Sequence, residues 1–370
     1  MSTRPSSLLR IAFAGLVLSF AVTADRATAA TSQPRALGPL PAIEAPSAEL
    51  AELGKLLFFD QRLSGDAVLA CGSCHRPEAG WTDGQQLGIA YPGTLYFRNT
   101  KSVLNAAHAR YFYWDGRLTG KDMPTQVRDS ITETHFQNMD GRIMLERLKQ
   151  VPEYVRRFRS AMNAEPSFGA TLKAISAYEK TLVSRNVPFD KGTMSQAATR
   201  GQGLFEGKAA CIQCHEGPML SDYQPHRTGV AGNPEITRDP LRHLTLRSFA
   251  KFMGVPGFEI IREDPGFFTV SKQEEDRGKF VTPTLREVSR TAPYMHNGTI
   301  ATLVEVIDFY NAGGGTAEGR DPLLKPLDLN AAEKTDLLAF LEALSGDAIE
   351  VGEIDLPPYE AIADWRSVPN

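Results

Sequence analysis

Cys71-Gly72-Ser73-Cys74-His75 sets two thiols three positions apart and puts an imidazole directly after the second. That order is the signature of covalent c-type haem attachment: each thiol adds to one haem vinyl group, and the adjoining imidazole turns back to ligate the iron. A Cys-x-x-Cys pair alone also serves zinc sites and thiol redox centres. Neither use explains the immediate His, nor a second copy at Cys211-Ile212-Gln213-Cys214-His215. The chain has 4 cysteines, and the two motifs consume all of them, which leaves no disulfide framework. Two haems are expected, attached through Cys71, Cys74 and His75 and through Cys211, Cys214 and His215.

The flanking sequence repeats with the motifs. Gly54-Lys55-Leu56-Leu57-Phe58 precedes the first, and Gly201-Gln202-Gly203-Leu204-Phe205 precedes the second. A G-x-x-L-F…C-x-x-C-H unit therefore occurs twice, the mark of an internal duplication in which each unit lays a helix against its haem. Ser47 before Ala48-Glu49-Leu50 starts the first of these helices, with Leu50, Leu53, Leu56 and Leu57 on its apolar side. Apolar residues at three- and four-residue spacing predict helices over 139–162 and 167–184. Pro188, Gly192 and Ser195 interrupt the helical pattern and divide the chain into haem domains 31–190 and 191–370. Residues 224–277, rich in Pro and Gly, read as a long irregular functional loop region with short elements.

Helical pattern returns near the C-terminus. Thr302-Leu303-Val304-Glu305 is a capping box opening a short helix with Tyr310 near its end, stopped by Gly313-Gly314-Gly315. Asn330-Ala331-Ala332-Glu333 opens another, expected to pack on the first helix of its domain. Strand signals are weak, so the fold is mainly α, with two cytochrome c-like haem domains.

The 370 residues carry a formal net charge of -4, with no basic field for nucleic acid. Arg4 and Arg10 flank a short n-region, residues 11–22 are apolar but too short to span a bilayer comfortably, and Ala27-Thr28-Ala29 offers a cleavage site. Residues 1–30 are expected to be a signal peptide, leaving no membrane span after cleavage. Because c-type haem is attached outside the cytoplasm, the expected address is the periplasm.

Several further segments occur in series: Thr82-Asp83-Gly84, Arg98-Asn99-Thr100, Val103-Leu104-Asn105, Trp114-Asp115-Gly116-Arg117, Thr282-Pro283-Thr284-Leu285-Arg286 and Thr291-Ala292-Pro293-Tyr294-Met295-His296. With both haem motifs, this pattern resembles the bacterial di-haem cytochrome c peroxidase and MauG family over nearly the whole mature chain. Within it the chain looks more like the MauG branch, including the methanobactin-associated homologues of the MbnH type. The resemblance implies a peroxide-reactive haem in the N-terminal domain and an electron-transfer haem in the C-terminal one. It implies His75 and His215 as proximal iron ligands, and Trp114 between the haems as an electron relay. It also implies a calcium site made by Asn99 and the backbone carbonyls of Thr291 and Pro293, oxygen donors that suit that cation.

The sixth ligands distinguish the branches. Conventional members place a His sixteen positions after the first proximal His, where this chain has Tyr91. They place a Met fourteen positions after the His of the P-Y-x-H segment, where this chain has Tyr310, the residue type used by MauG-like proteins. The resemblance thus implies an open first iron and a His215/Tyr310 second iron. A phenolate is a hard anionic donor that stabilises higher oxidation states. Cleaving the O–O bond of peroxide needs a base that takes and returns a proton. Glu133 is the expected acid–base group, His135 its rival, with Gln126 beside them.

The expected function is that of a MauG-like enzyme. It would react with hydrogen peroxide to form a high-valent ferryl pair and oxidise a residue, Trp by analogy, of a partner protein by long-range electron transfer. Two alternatives stand beside it: a cytochrome c peroxidase fed by a small redox protein, and a non-enzymatic di-haem electron carrier. One departure bears on the choice. The founding MauG has a surface Trp shortly before its second haem motif, and Glu206-Gly207-Lys208-Ala209-Ala210 contains none.

Overall fold

A computed structural model describes residues 33–360 and 364–369; the expected signal segment and its cleavage site lie outside them. Ser47 accepts a hydrogen bond from the Leu50 amide and opens helix α1, Ala48–Phe58. Helix α2, Met123–Thr132, starts on Asp122. Helices α3, Gly141–Lys149, and α4, Pro152–Met162, follow. Next come α5, Phe168–Thr181, capped by Ser167, and α6, Gln196–Glu206, capped by Ser195. Helix α7 is Pro240–Phe252. Both expected capping boxes are present, at the start of α8, Leu303–Asn311, and of α9, Ala331–Glu342. Among the described residues the strands form two short antiparallel ladders, β1 (Tyr111–Phe112) with β2 (Leu118–Thr119) and β3 (Pro225–His226) with β4 (Phe280–Val281). The fold is mainly helical.

Two expectations about elements need correction. Residues 139–162 are not one helix. Pro152 has no amide hydrogen to continue α3 and forces Val151 into an extended conformation (φ -121°, ψ 95°). Residues 224–277 are not all irregular, because α7 runs 13 residues through them. Its signals were local: Asp239 caps the Leu241 and Arg242 amides, and Pro240 occupies the first turn.

The duplication is visible in the packing. Helix α1 crosses α5, and α6 crosses α9, each time at the first Gly of the repeat. A methyl group on Gly54 would stand 1.9 Å from the Ala174 carbonyl oxygen, and one on Gly201 would stand 1.9 Å from that of Asp336. Only glycine permits so close a backbone approach. The crossings bury Leu57, Phe58 and Phe205 and help define two apolar clusters, one drawn from residues 53–182 and one from 205–344. Phe58 lies with its ring centroid 6.4 Å from that of His75, so the first crossing directly supports the first motif.

Candidate haem and peroxide site

Both Cys-x-x-Cys-His segments fold the same way. The amide of His75 donates to the Cys71 carbonyl at 2.9 Å, and that of His215 to the Cys211 carbonyl at 2.9 Å. His75 Nδ1 lies 3.1 Å from the Trp81 carbonyl oxygen, and His215 Nδ1 lies 2.9 Å from that of Leu220. The two carbonyls come from residues in left-handed backbone conformation, φ 63° at Trp81 and φ 47° at Leu220. Bulky residues pay strain to sit there, and structure elsewhere must hold them. A nitrogen facing a carbonyl carries the proton, so each ring keeps its Nε2 lone pair for a metal. Burial pushes both imidazoles below their ordinary value, which keeps them neutral, the form that ligates iron.

The thiols fit haem attachment better than redox chemistry. Burial pushes Cys71, Cys74 and Cys211 up to about 12, whereas a reactive redox pair lowers at least one thiol. Cys214, Asp222 and His226 also cluster, but both His226 nitrogens face carboxylates, Asp222 at 2.8 Å and Asp321 at 2.5 Å. That ring is engaged, and Cys214 belongs to the second haem motif. Beside each motif lies a largely apolar cavity with the His on its lining, as a haem requires.

His75 is the one imidazole on the first cavity's lining among the described residues. Tyr91 is not on it; its hydroxyl faces Gly65 instead. Helix α2 brings Gln126 and Ser130 to this lining, where the Gln126 amide donates to the Ser130 hydroxyl at 3.0 Å. Glu133, which ends α2, and His135 stand one layer back, off the lining. His135 Nε2 is 3.0 Å from Glu133 Oε2, close enough to pair but out of line for a hydrogen bond. Arg117 reaches the same carboxylate at 3.5 Å, and its guanidinium lies 3.5 Å from the Tyr113 ring centroid. Burial alone would raise Glu133, but His135 and Arg117 together hold it below the usual range.

Three lining residues escaped sequence reasoning. Tyr113, next to Trp114, sits at φ 64° with its hydroxyl 3.4 Å from the Gln126 carbonyl oxygen, and burial raises its phenol. Glu179 is a lone acid in the apolar run of α5; its Oε2 has no partner among the described residues, and burial pushes it up to about 8. Lys101 directly follows Arg98-Asn99-Thr100, and burial lowers it to about 8, which leaves it mostly charged at neutral pH. The lone acid and the lone base were the available signals.

Tyr310 shares the second cavity's lining with Cys211 and His215. Its hydroxyl makes no hydrogen bond to a described residue, and burial raises its phenol above the ordinary 10. Such a phenol ionises only against a strong positive charge, which a ferric iron supplies. Asn99, Thr291 and Pro293 line the same cavity. The Asn99 side-chain amide donates to the Gln85 carbonyl at 2.9 Å, and no described residue donates to its Oδ1, so the oxygen is free for a hard cation.

Trp114 lines both cavities, as do Asn99 and Lys101. Its Nε1 donates to the Asn99 carbonyl at 2.8 Å. Buried charges brace this wall. Arg98 grips Asp264 at 2.5 and 2.8 Å and Asp115 at 2.6 Å, and Arg117 reaches Asp115 at 3.2 Å. Burial alone would raise Asp115, but Arg98 and then Arg117 outweigh it and hold the carboxyl at about 2. The W-D-G-R segment thus contributes Trp114 to the wall and anchors it with the next charged residues.

Comparison with known proteins agrees. The family profile described as di-haem cytochrome c peroxidase matches residues 48–198. Cytochrome-c peroxidase IdrP2 of Denitromonas iodatirespirans is 44% identical over 364 residues, covering 97% of this chain and 98% of the relative. Methylamine utilization protein MauG of Methylorubrum extorquens is 32% identical over 317 residues, covering 84% and 82%. A crystal structure of a MauG-like protein associated with microbial copper homeostasis superposes with a TM-score of 0.68 at 28% identity, covering 85% of this chain and 93% of that one. The fold, the paired motifs and these relatives lead to one conclusion: the chain belongs to the di-haem cytochrome c peroxidase and MauG family, haem-dependent oxidoreductases that use hydrogen peroxide.

Proposed function

We propose that the chain is a periplasmic peroxidase that reduces hydrogen peroxide at the haem of Cys71, Cys74 and His75. In this reading a small redox protein is the electron donor, and Cys211, Cys214 and His215 would hold a second haem that supplies electron transfer. The observation that carries it is the asymmetry of the two linings. Among the described residues the first offers His75 with no second imidazole. The second offers His215 and Tyr310 together with His226, held by two carboxylates, and His296, stacked on Phe280, and Trp114 belongs to both. When bound, the first haem supplies the iron at which the O–O bond breaks. Reduction of one peroxide to two waters takes two electrons and two protons. Gln126 Nε2 and the Tyr113 hydroxyl orient the peroxide oxygens, and the Glu133–His135 pair behind them is the proton reservoir. Tyr310 would ligate the iron of the second haem and would stabilise its oxidised state, and Asn99 with the Thr291 and Pro293 carbonyls would hold calcium. Residues 31–190 and 191–370 form the two haem domains, after a signal peptide at 1–30.

The MauG-like alternative, oxidation of a residue in a partner protein, is favoured by Tyr310, a donor that stabilises oxidised iron. The missing Trp in residues 206–210 and the peroxidase names of the 44% and 46% identical relatives favour the first reading. Turnover with peroxide and a reduced small c-type cytochrome separates them. Two cytochromes oxidised per peroxide at a sustained rate support the peroxidase. A cytochrome left reduced, with a peroxide-dependent mass change in a co-purifying protein, supports the alternative.

A further inference from the structure

Lys101 stands where the two cavities meet. It is on the lining of both, and its Nζ lies 5.0 Å from the centroid of the Trp114 ring. No Asp or Glu among the described residues pairs with it, and its Nζ makes no hydrogen bond to them. Asp115 is the nearest acidic influence, already engaged by Arg98 and Arg117. The indole is therefore covered by a cation that no described residue neutralises.

This arrangement bears on what Trp114 can do. An electron passing between the haem cavities can use the indole as a bridge, or the indole can itself give up an electron. The second route places positive charge on a ring 5.0 Å from an ammonium, a repulsion that is strong in an enclosed site. Trp114 Nε1 donates to the Asn99 carbonyl oxygen, too weak a base to take its proton, so an oxidised indole keeps its full positive charge beside the ammonium.

We propose that Lys101 is a specificity-determining residue of the relay, its ammonium keeping Trp114 from being oxidised while electrons cross through it. The proposal rests on the peroxide-reducing reading. The two electrons taken by each peroxide then come from the haems and their external donor, the two protons end in water, and Trp114 is left unchanged. Without the ammonium, Trp114 itself supplies the two electrons: the indole adds one oxygen from water and releases two protons, and the peroxide takes up both electrons and both protons to become two waters. The net change is one peroxide consumed, one oxygen added to Trp114 and one water formed.

The test uses the full haem-loaded protein, with Lys101→Met removing the charge and Lys101→Arg keeping it. Haem absorption and far-ultraviolet circular dichroism establish folding, and Lys101→Gln replaces the Met variant where that one takes up no haem. Each protein receives stoichiometric hydrogen peroxide without electron donor, followed by freeze-quench electron paramagnetic resonance and peptide mass mapping. Oxygen added at Trp114 is expected to rise about tenfold or more in Lys101→Met and to stay near the wild-type level in Lys101→Arg. Equal Trp114 oxidation in Lys101→Met and wild type overturns the proposal, even where the haem potentials shift, because Lys101 is then only a haem counter-ion. So does an Arg variant that behaves like the Met variant. The same ranking is expected with a photogenerated ruthenium(III) oxidant and no peroxide. A protein inert to peroxide that keeps this ranking refutes the peroxidase reading and leaves the role of Lys101 standing; loss of the ranking refutes that role.

Discussion

Asp115→Asn removes the central anion from the buried network that braces the wall between the cavities. The substitution keeps shape and leaves Arg98 with Asp264, but it strands Arg117 with Glu133 at 3.5 Å. The wild-type carboxyl is lowered from 3.8 to about 2. At about 1.4 kcal/mol per tenfold change in proton affinity, that corresponds to roughly 2.5 kcal/mol of stabilisation of the charged form. Breaking a buried pair from one side adds the cost of an uncompensated cation, so the expected loss is about 2.5–5 kcal/mol. The sign with pH follows from a depressed carboxyl: its contribution is complete above pH 3.8 and disappears as pH falls through about 2. The variant should therefore lose stability at neutral pH and show a flatter acid limb than wild type. Urea unfolding of both haem-loaded proteins, followed at the haem band and at 222 nm between pH 2 and 7, measures this. A neutral-pH loss below about 0.5 kcal/mol, within the range of an ordinary surface substitution, refutes the bracing role.

Gly201→Ala, ordinarily a stabilising change in a helix by about 1 kcal/mol, should instead destabilise by about 1–3 kcal/mol, because its methyl group meets the Asp336 carbonyl oxygen at 1.9 Å; a unchanged or raised urea midpoint contradicts that. Glu179→Gln should raise the urea midpoint more at pH 8 than at pH 5. The wild-type carboxyl, raised from 4.5 to about 8, favours folding fully below pH 4.5 and loses that contribution as pH rises through 8. Gln126→Leu should slow the peroxide-induced change in the haem spectrum about tenfold or more in stopped flow, by removing a donor at the reacting oxygens.

Much of the architecture was legible because duplication wrote it twice. The capping residues Ser47, Thr302 and Asn330, the two G-x-x-L-F helices and the terminal helix over the second all follow from local chemistry that needs no knowledge of the tertiary fold. Helix α7 was not legible from its apolar pattern, because Leu241, Leu244 and Phe252 are exposed and spread apolar character around the helix. Its caps carried the signal instead. In the site, the haem Cys and His residues were plain, since their spacing is dictated by covalent chemistry. The proton-handling side was less so: Gln126 reaches the lining, whereas Glu133 turns to Arg117 and His135. Contacts between distant segments decide that choice, as they decide that Lys101 and Glu179 face a cavity. A buried lone charge leaves only a faint mark in sequence.

The most direct test of the asymmetry between the haems is low-temperature electron paramagnetic resonance of the ferric protein beside its Tyr310→Phe variant. The account predicts one high-spin signal, from the haem of His75, and one low-spin signal, from that of His215, in the wild type. Only the low-spin signal should change in Tyr310→Phe. Two low-spin signals in the wild type, or a low-spin signal unaltered by the substitution, would contradict it.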